Sequence, residues 1–224
     1  MPVSVIIAAS NEETRIAAAV DSAFAAGAAE VIVADGASSD RTREIAAARG
    51  AAVVQSVSMR SRQCNRGALA AHHDTLLFLH ADTLLPAGAA AAAEDALRLG
   101  ASFGGFRLRF AEPLRRLRFV AAMVNLRSSI TRCPWGDQAQ FLSRAPFLAR
   151  GGYREIPLME DYEMAVRMKR RGRSVILPLT VITSGRRFLE RGVVRTTILN
   201  WLIIAAWRLG VAPQTLAGWY RGER

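Results

Sequence analysis

Cysteine is nearly missing from this chain: Cys64 and Cys133 are the only two in 224 residues, and no CxxC occurs. Neither a disulfide framework nor a zinc site is therefore expected, and a reducing cytoplasm is the default setting. Lysine is scarcer still, so the formal net charge of +11 rests almost entirely on arginine. No apolar run is long enough to cross a bilayer. The most apolar stretch, Ile198–Trp207 (ILNWLIIAAW), has ten residues, half of the roughly 20 a span needs, which suits a core or interfacial helix. The opening MPVSVIIAASNEE passes from an apolar run to an acidic loop. With no basic leader and no small-residue cleavage pattern, a secretion signal is not expected. No linker, low-complexity tract or internal repeat interrupts the chain, so a single domain over 1–224 is the simplest account.

What the chain does have is apolar residues, 51% of the total, far too many for disorder. They fall in an alternating order. Val3–Ala9 (VSVIIAA) is an unbroken, β-branched run of the kind buried on both faces of a parallel sheet. Glu30–Asp35, Ala52–Gln55 and Thr75–Leu79 read as further strands. Between and after them, Glu13–Ala26, Asp40–Arg49, Ser61–His72 and Pro86–Leu99 read as helices. Ser39 or Asp40 is the expected N-cap of the second, and Pro86 sits in the first turn of the fourth. This βα repetition predicts an α/β fold with a right-handed, mostly parallel central sheet over residues 1–100. The second half is less regular. Phe103–Phe110 alternates like an antiparallel strand, and Ala139–Ser143 and Val175–Leu179 are shorter strands. Pro113–Ile130, Glu160–Arg171 and Gly192–Leu209 are helical, which makes residues 101–190 a mixed part and 191–224 a helical segment.

Open parallel sheets bind ligands beyond the carboxyl ends of their strands. Ser10 to Glu13 follow the first strand, Asp35 to Asp40 the second, and His80-Ala81-Asp82 the fourth, so polar side chains gather at one rim. A dinucleotide fold would place GxGxxG in the first turn, but ASNEETR there has no glycine and two carboxylates. No GxxxxGK[ST] exists either, which excludes P-loop chemistry. A nucleotide bound without a glycine cradle needs another counter-charge. A divalent metal on Asp82 and the arginines Arg60, Arg62 and Arg66 are the candidates.

The ordered set VSVIIAASNEE, VIVADGASSDRT, FLHADT, GDQAQFLSR and MEDYEMAVRMKRRG resembles the family 2 glycosyltransferases of the GT-A fold, over about residues 3 to 187. Each motif alone is weak; five in order are strong. Arg60–Ala68 (RSRQCNRGA) and Thr183–Phe188 (TSGRRF) further resemble a small bacterial subfamily associated with radical-SAM, selenodomain and arsenosugar proteins. The resemblance implies an αβα sandwich that moves a sugar from a nucleotide-diphosphate sugar, most readily a UDP-sugar, onto an acceptor hydroxyl. It implies residues 1–100 as the nucleotide half and 101–190 as the acceptor and catalytic half. Asp35 would accept hydrogen bonds from the nucleobase, with Ser10 and Glu12 beside it, although the DGASSD turn also allows a purely capping role. Arg60, Gln63, Asn65, His80 and Ala81 would face the sugar and phosphates, and Asp82 would hold Mg²⁺ or Mn²⁺. His80 stands where the family usually carries an acid. A neutral imidazole can hydrogen-bond the ribose, ligate Mn²⁺ or simply line the rim.

The late acids carry the chemistry implied by the resemblance. Glu160, Asp161 and Glu163 open a helix, whose N-terminus favours the ionised form. Asp161 would be the general base for an inverting single displacement. Trp135, Gly136, Asp137, Gln138 and Glu160 would form the acceptor side. The acceptor itself is open, lipid-linked or small. Arg115, Arg116, Arg118 and Arg127 surround an apolar stripe, as in a membrane-surface helix, so peripheral contact with the inner face of a membrane is allowed. Two rivals remain. A nucleotidyltransferase would share the topology but usually opens with a glycine-rich, lysine-bearing loop. A basic nucleic-acid module would explain the charge but not carboxylates at the strand ends, so no nucleic acid is expected.

Overall fold

The computed structural model describes residues 2–221. Its elements run β1 (Val3–Ala9), α1 (Ile16–Ala25), β2 (Glu30–Asp35), α2 (Thr42–Ala48), β3 (Ala52–Gln55), α3 (Arg60–Ala70), β4 (Thr75–His80), β5 (Thr83–Leu84), α4 (Ala89–Arg98) and β6 (Ala101–Phe110). The second half continues with α5 (Arg115–Thr131), a 3₁₀ turn (Gly136–Gln138), β7 (Phe141–Ser143), α6 (Arg144–Ala149), α7 (Glu160–Lys169), β8 (Arg173–Thr183), α8 (Arg186–Arg191), α9 (Val193–Arg208) and α10 (Pro213–Arg221).

One sheet of eight strands, ordered β3-β2-β1-β4-β7-β6-β8-β5, runs through the molecule. The four leading strands are parallel, as their apolar runs predict. Alternate residues of each strand then supply two cores. Val5, Ile7, Leu77 and Leu79 pack with Ile16, Val20 and Ala93 on one face. Ile6, Leu76 and Phe78 pack with Cys64, Ala68 and Met164 on the other. Each such side chain, once fully buried, contributes about 1.5–3 kcal/mol, which is why this half needs no crosslink.

Three expectations change. The β6 strand is antiparallel to β7 only at Gly104↔Phe141; along most of its length it pairs parallel to β8. The chain between β6 and β8 carries α5, β7, α6 and α7, a crossover that returns β8 in the same direction. Pro178 and Leu179 fall in a register shift between Leu177 and Thr180, where proline's missing N–H costs no ladder bond. Gly104 is needed because a Cβ there would overlap the Phe141 ring. Helix α4 begins at Ala89 after a left-handed Gly88, which leaves Pro86 outside it. In α2 the N-cap is Arg41, without a side-chain cap, rather than Ser39 or Asp40; Asp40 lies one residue earlier, its Oδ1 accepting the Thr42 N–H at 3.0 Å. The short β5, α6, α8 and α10 were not anticipated.

The sheet order reverses between β1 and β4, the switch point where open α/β sheets bind ligands. Register pairs Ala8 with His80 and Ala9 with Asp35, so the loops after β1, β2 and β4 leave the sheet side by side. The small β5 then pairs with the end of β8, Thr83 opposite Thr183, and Ser184 N–H donates to the Asp82 carbonyl at 3.2 Å. That pairing brings Arg186 and Arg187 to the same rim.

Candidate active site

Two cavities meet at this rim. The smaller, about 240 Å³, lies over the ends of β1 and β4 and is lined by Ser10, Glu12, Gln63 and Ala81 among others. The larger, about 490 Å³, lies beneath α5 and α9 and is lined by Trp135, Asp137, Glu160 and Asp161 among others. Arg60, His80 and Asp82 line both. The junction is thus built from the N-terminus of α3 and the end of β4.

Arg60 reaches across this junction. Its Nε lies 2.7 Å from Glu160 and its outer nitrogen 3.4 Å from Asp161. Its other outer nitrogen donates to His80 Nε2. An arginine can only donate, so the His80 proton sits on Nδ1 and Nε2 is engaged. Burial first, then the Arg60 charge, push the His80 pKa down to about 3, so the imidazole is neutral at physiological pH. Burial would raise the Asp161 pKa, but Arg60 and the N–H groups of Gly136 and Tyr162, each 2.7 Å from a carboxylate oxygen, hold it below its ordinary range. Glu160 shifts the opposite way, because burial outweighs Arg60. Asp161 is therefore an acid held ionised at the border of the larger cavity.

Gly136 makes this geometry possible. A Cβ there would collide with the Arg60 guanidinium and sit 2.9 Å from His80 Nε2. Since the obstructing group is the far end of a flexible side chain, Gly136→Ala should fold, shift Arg60, and lower turnover by up to about 100-fold. Steady-state rates beside a melting curve check this; unchanged kcat would show that the position of Arg60 is immaterial.

At the smaller cavity Glu12 accepts from Arg15 at 3.2 Å and meets Arg186 at 3.5 Å. Among the described residues Asp82 has only Thr83 Oγ1 as a side-chain hydrogen-bond partner, at 3.4 Å. Burial and then the Glu12 charge raise its pKa, opposed by Arg186 and Arg15. A carboxylate so short of positive charge suits a divalent cation. Among the described residues no cluster of three or more His, Cys, Asp or Glu side chains is placed to hold a metal, so such an ion would take most ligands from phosphate and water.

The other expected residues divide. Ser10 and Ala81 line the smaller cavity. Gln63 does too, but its Nε2 is committed to the Ala9 and Ala34 carbonyls at 2.7 and 2.9 Å, tying β1 to β2. Asn65 lines neither; its amide bridges the Tyr153 backbone at 2.8 and 2.9 Å. Asp35 is fully buried and also lines neither, its oxygens accepting from the Ser38 N–H and hydroxyl, with Arg43 3.9 Å away. Asp35 thus staples its own turn, and Asn65 ties α3 to the loop between α6 and α7. Gln138, equally buried, accepts from Arg127 and Trp135 N–H, each at 3.1 Å, and donates to the Phe106 carbonyl at 2.8 Å, which shapes the loop behind Asp137. Arg127 does not join a surface stripe. It turns inward, 3.6 Å above the Trp135 ring. Arg186, Arg187 and Tyr220 are cavity residues that sequence reasoning did not select, although TSGRRF contains the two arginines. Among the described residues no helix is long and apolar enough to cross a membrane.

Residues 4–117 match the sequence profile of Glycosyl transferase family 2. No curated protein matches the chain. Solved structures do. TarS from S. aureus superposes with a TM-score of 0.65 at 16% identity, over 82% of this chain and 37% of its own. Glucosyl-3-phosphoglycerate synthase from Mycobacterium tuberculosis, solved with Mn²⁺ and uridine-diphosphate-glucose, gives 0.61 at 21% identity, over 90% and 78%. The same enzyme with Mn²⁺, UDP and phosphoglyceric acid gives 0.59 at 21% identity, over 90% and 77%. The chain thus spans little more than a third of the TarS chain. What these structures share with it is the GT-A α/β architecture.

Proposed function

This chain belongs to glycosyl transferase family 2, and from that premise we propose that it moves a sugar from a nucleoside-diphosphate sugar to an acceptor hydroxyl, with inversion. The observation that carries the proposal is the junction of two cavities at Arg60, His80 and Asp82, with ionised Asp161 on the far side. The donor occupies the smaller cavity, its diphosphate near Asp82 and Arg186 and its sugar at the junction. The acceptor enters the larger one. Asp161 takes the hydroxyl proton as the oxygen bonds to the anomeric carbon. The bond from that carbon to the diphosphate breaks, and the nucleoside diphosphate leaves with the electron pair. Glu160 stays bound to Arg60, so one carboxylate acts and the configuration inverts.

Arg60 has a second part to play. A diphosphate arriving at the junction competes for its guanidinium, and any shift of that charge from Asp161 raises the basicity of the carboxylate when it is needed. A divalent cation on Asp82 would neutralise charge growing on the leaving diphosphate. UDP-sugars are the proposed donors, because the similar solved structures hold UDP or uridine-diphosphate-glucose. The narrower subfamily placement rests on Arg60–Ala68 and Thr183–Phe188 alone.

The test is a panel of nucleotide-sugars, with and without Mn²⁺, read by thermal shift and by the phosphorus product. Release of nucleoside diphosphate supports transfer, whereas pyrophosphate from a triphosphate would replace it with nucleotidyl transfer. Asp82→Asn separates the metal's share. Donor affinity should fall about tenfold to a hundredfold with Mn²⁺ present, the worth of one charge-assisted contact, and change little without it. A Mn²⁺ enhancement undiminished in this variant would remove Asp82 as the ligand.

A further inference from the structure

The larger cavity holds polar atoms that nothing in the chain answers. Eight buried side-chain polar atoms lack a hydrogen-bond partner among the described residues. Five of them belong to residues that line this one cavity: Arg127 Nε, Trp135 Nε1, Asp137 Oδ1, Arg187 Nε and Thr196 Oγ1. Native interiors leave few such groups orphaned, and each calls for an explanation. Their chemistry is lopsided. Arg127, Trp135 and Arg187 offer donors only, Asp137 an acceptor, and Thr196 either.

Charge points the same way. Arg60 and Arg186 each meet a carboxylate. Arg127 and Arg187 form no ion pair among the described residues, and Asp137 acts on Arg127 only from beyond ion-pair distance. Each of these two guanidiniums instead lies over an aromatic ring, Arg127 3.6 Å above Trp135 and Arg187 3.2 Å above Tyr220. One outer nitrogen of each is spent within the chain, Arg127 on Gln138 Oε1 at 3.1 Å and Arg187 on the Tyr220 carbonyl at 3.2 Å. The Nε of each has no partner among the described residues, and stacking fixes the plane in which the remaining edge donors face a ligand. Half-buried cations without counter-ions, held flat on rings, are a built receptor for an oxyanion.

We propose that this end of the cavity is the acceptor subsite for an oxyanion, a phosphate or carboxylate carried by the sugar acceptor and held by Arg127 and Arg187, with Asp137 accepting from a hydroxyl of the same molecule. The inference rests on the transfer reading above, which makes this the acceptor side. A neutral polyol would leave two desolvated cations unanswered. The rest of the wall, Val120, Met123 and Val124 of α5 with Ile203 and Ile204 of α9, is apolar. The same two helices expose Phe119, Leu126, Ile130, Ile198 and Leu202 to solvent, so the anion can come from a soluble metabolite or from a lipid headgroup.

The experiment saturates the chain with UDP and Mn²⁺, so that no added anion can occupy the donor's phosphate positions. Glycerol, glycerate and glycerol 3-phosphate are then titrated by calorimetry. Phosphatidylcholine vesicles with and without lysophosphatidate supply the lipid arm. At least one oxyanion probe should bind at least about tenfold more tightly than glycerol. Arg127→Gln and Arg187→Gln should each weaken it about tenfold to a hundredfold, with UDP affinity within twofold of the parent; Arg187→Lys should recover part of the loss. Binding of soluble or vesicle-borne probe each supports the subsite, and the better one names the source. Glycerol binding as tightly as the anions, or anion binding indifferent to both arginines, overturns the proposal. So does failure of every oxyanion while UDP still binds. If the arginine variants do not fold, the comparison of probes on the parent chain decides alone. A chain that binds neither UDP nor nucleotide-sugars strikes the transfer reading itself.

Discussion

Asp161→Asn should lower turnover by about 10²–10⁴-fold, the usual share of a general base, while the donor binds within a few-fold of its normal affinity. The expectation follows from where the carboxylate sits. Asp161 borders the cavity that Ser10, Glu12 and Gln63 do not reach, so the donor side keeps its lining. The variant will also be less stable, for a specific reason. Asp161 accepts the Gly136 N–H on one oxygen and the Tyr162 N–H on the other, both at 2.7 Å. Asparagine has one acceptor oxygen, so one of these N–H groups loses its partner, at about 1–3 kcal/mol. A lower melting temperature is thus expected, and the donor-induced shift must be read relative to it. Single-turnover rates at saturating donor and acceptor isolate the chemical step. Near-normal turnover would transfer the role of base to another group, with Asp137 next in line. The Asp137 pKa, raised by burial to about 6 despite Arg127, would then show as an acid limb close to pH 6.

The parts of this molecule that could be read from sequence are those whose physics is local. The bounds of β1 and β2 coincide with their apolar runs, because a strand covered on both faces carries no other information than its hydrophobicity. The β3 strand, a partly exposed edge strand, is bounded by the turns on either side of it. The gathering of Ser10, Glu12 and Asp82 at one rim follows from parallel order alone. What stayed hidden depends on partners distant in sequence. The β6 strand alternates, yet its neighbour is β8, about 70 residues on, and alternation says nothing of a neighbour's direction. Asp35 looks like any acid after a strand, and only the three-dimensional turn shows Ser38 occupying it. Arg127 lies on a helix that is apolar on both sides, with Leu117 and Val120 inside and Phe119 and Ile130 outside, so periodicity could not assign its face. The role of Arg60 was legible in kind but not in reach. The helix-start position brings Arg60 to the smaller cavity, but nothing in the sequence shows that it also reaches Glu160 and Asp161.

That double duty makes Arg60→Ala the most damaging substitution for stability. Glu160 is 7% exposed and Asp161 half-buried, and Arg60 is the cation at ion-pair distance from both. Breaking a buried pair by removing one partner typically costs 3–5 kcal/mol. A third of the Arg60 side chain still meets solvent, and water can enter the space it vacates, so the low end, about 3 kcal/mol, is expected. For a chain of this length that lowers the melting temperature by roughly 6–12 °C. The pH dependence gives the loss its signature. In the parent, the depressed pKa of Asp161 stabilises the fold above the ordinary aspartate value of 3.8, a contribution lost as pH falls through the still lower folded value. Without Arg60, Asp161 loses the largest of the groups that depress its pKa, and Glu160, already raised by burial, loses its counter-charge. The cost of keeping both ionised therefore grows at neutral pH and falls as they take up protons on acidification. His80 adds to the effect, because Arg60 helps to hold it neutral; relieved of that charge, it can protonate beside Asp161 and replace the missing cation. The gap between parent and variant should therefore shrink steadily below neutrality. Melting curves from pH 8 down to pH 4 measure it directly. A gap that stays constant across that range would mean the lost stability comes from packing, and that Arg60 does not set the charge of the two acids.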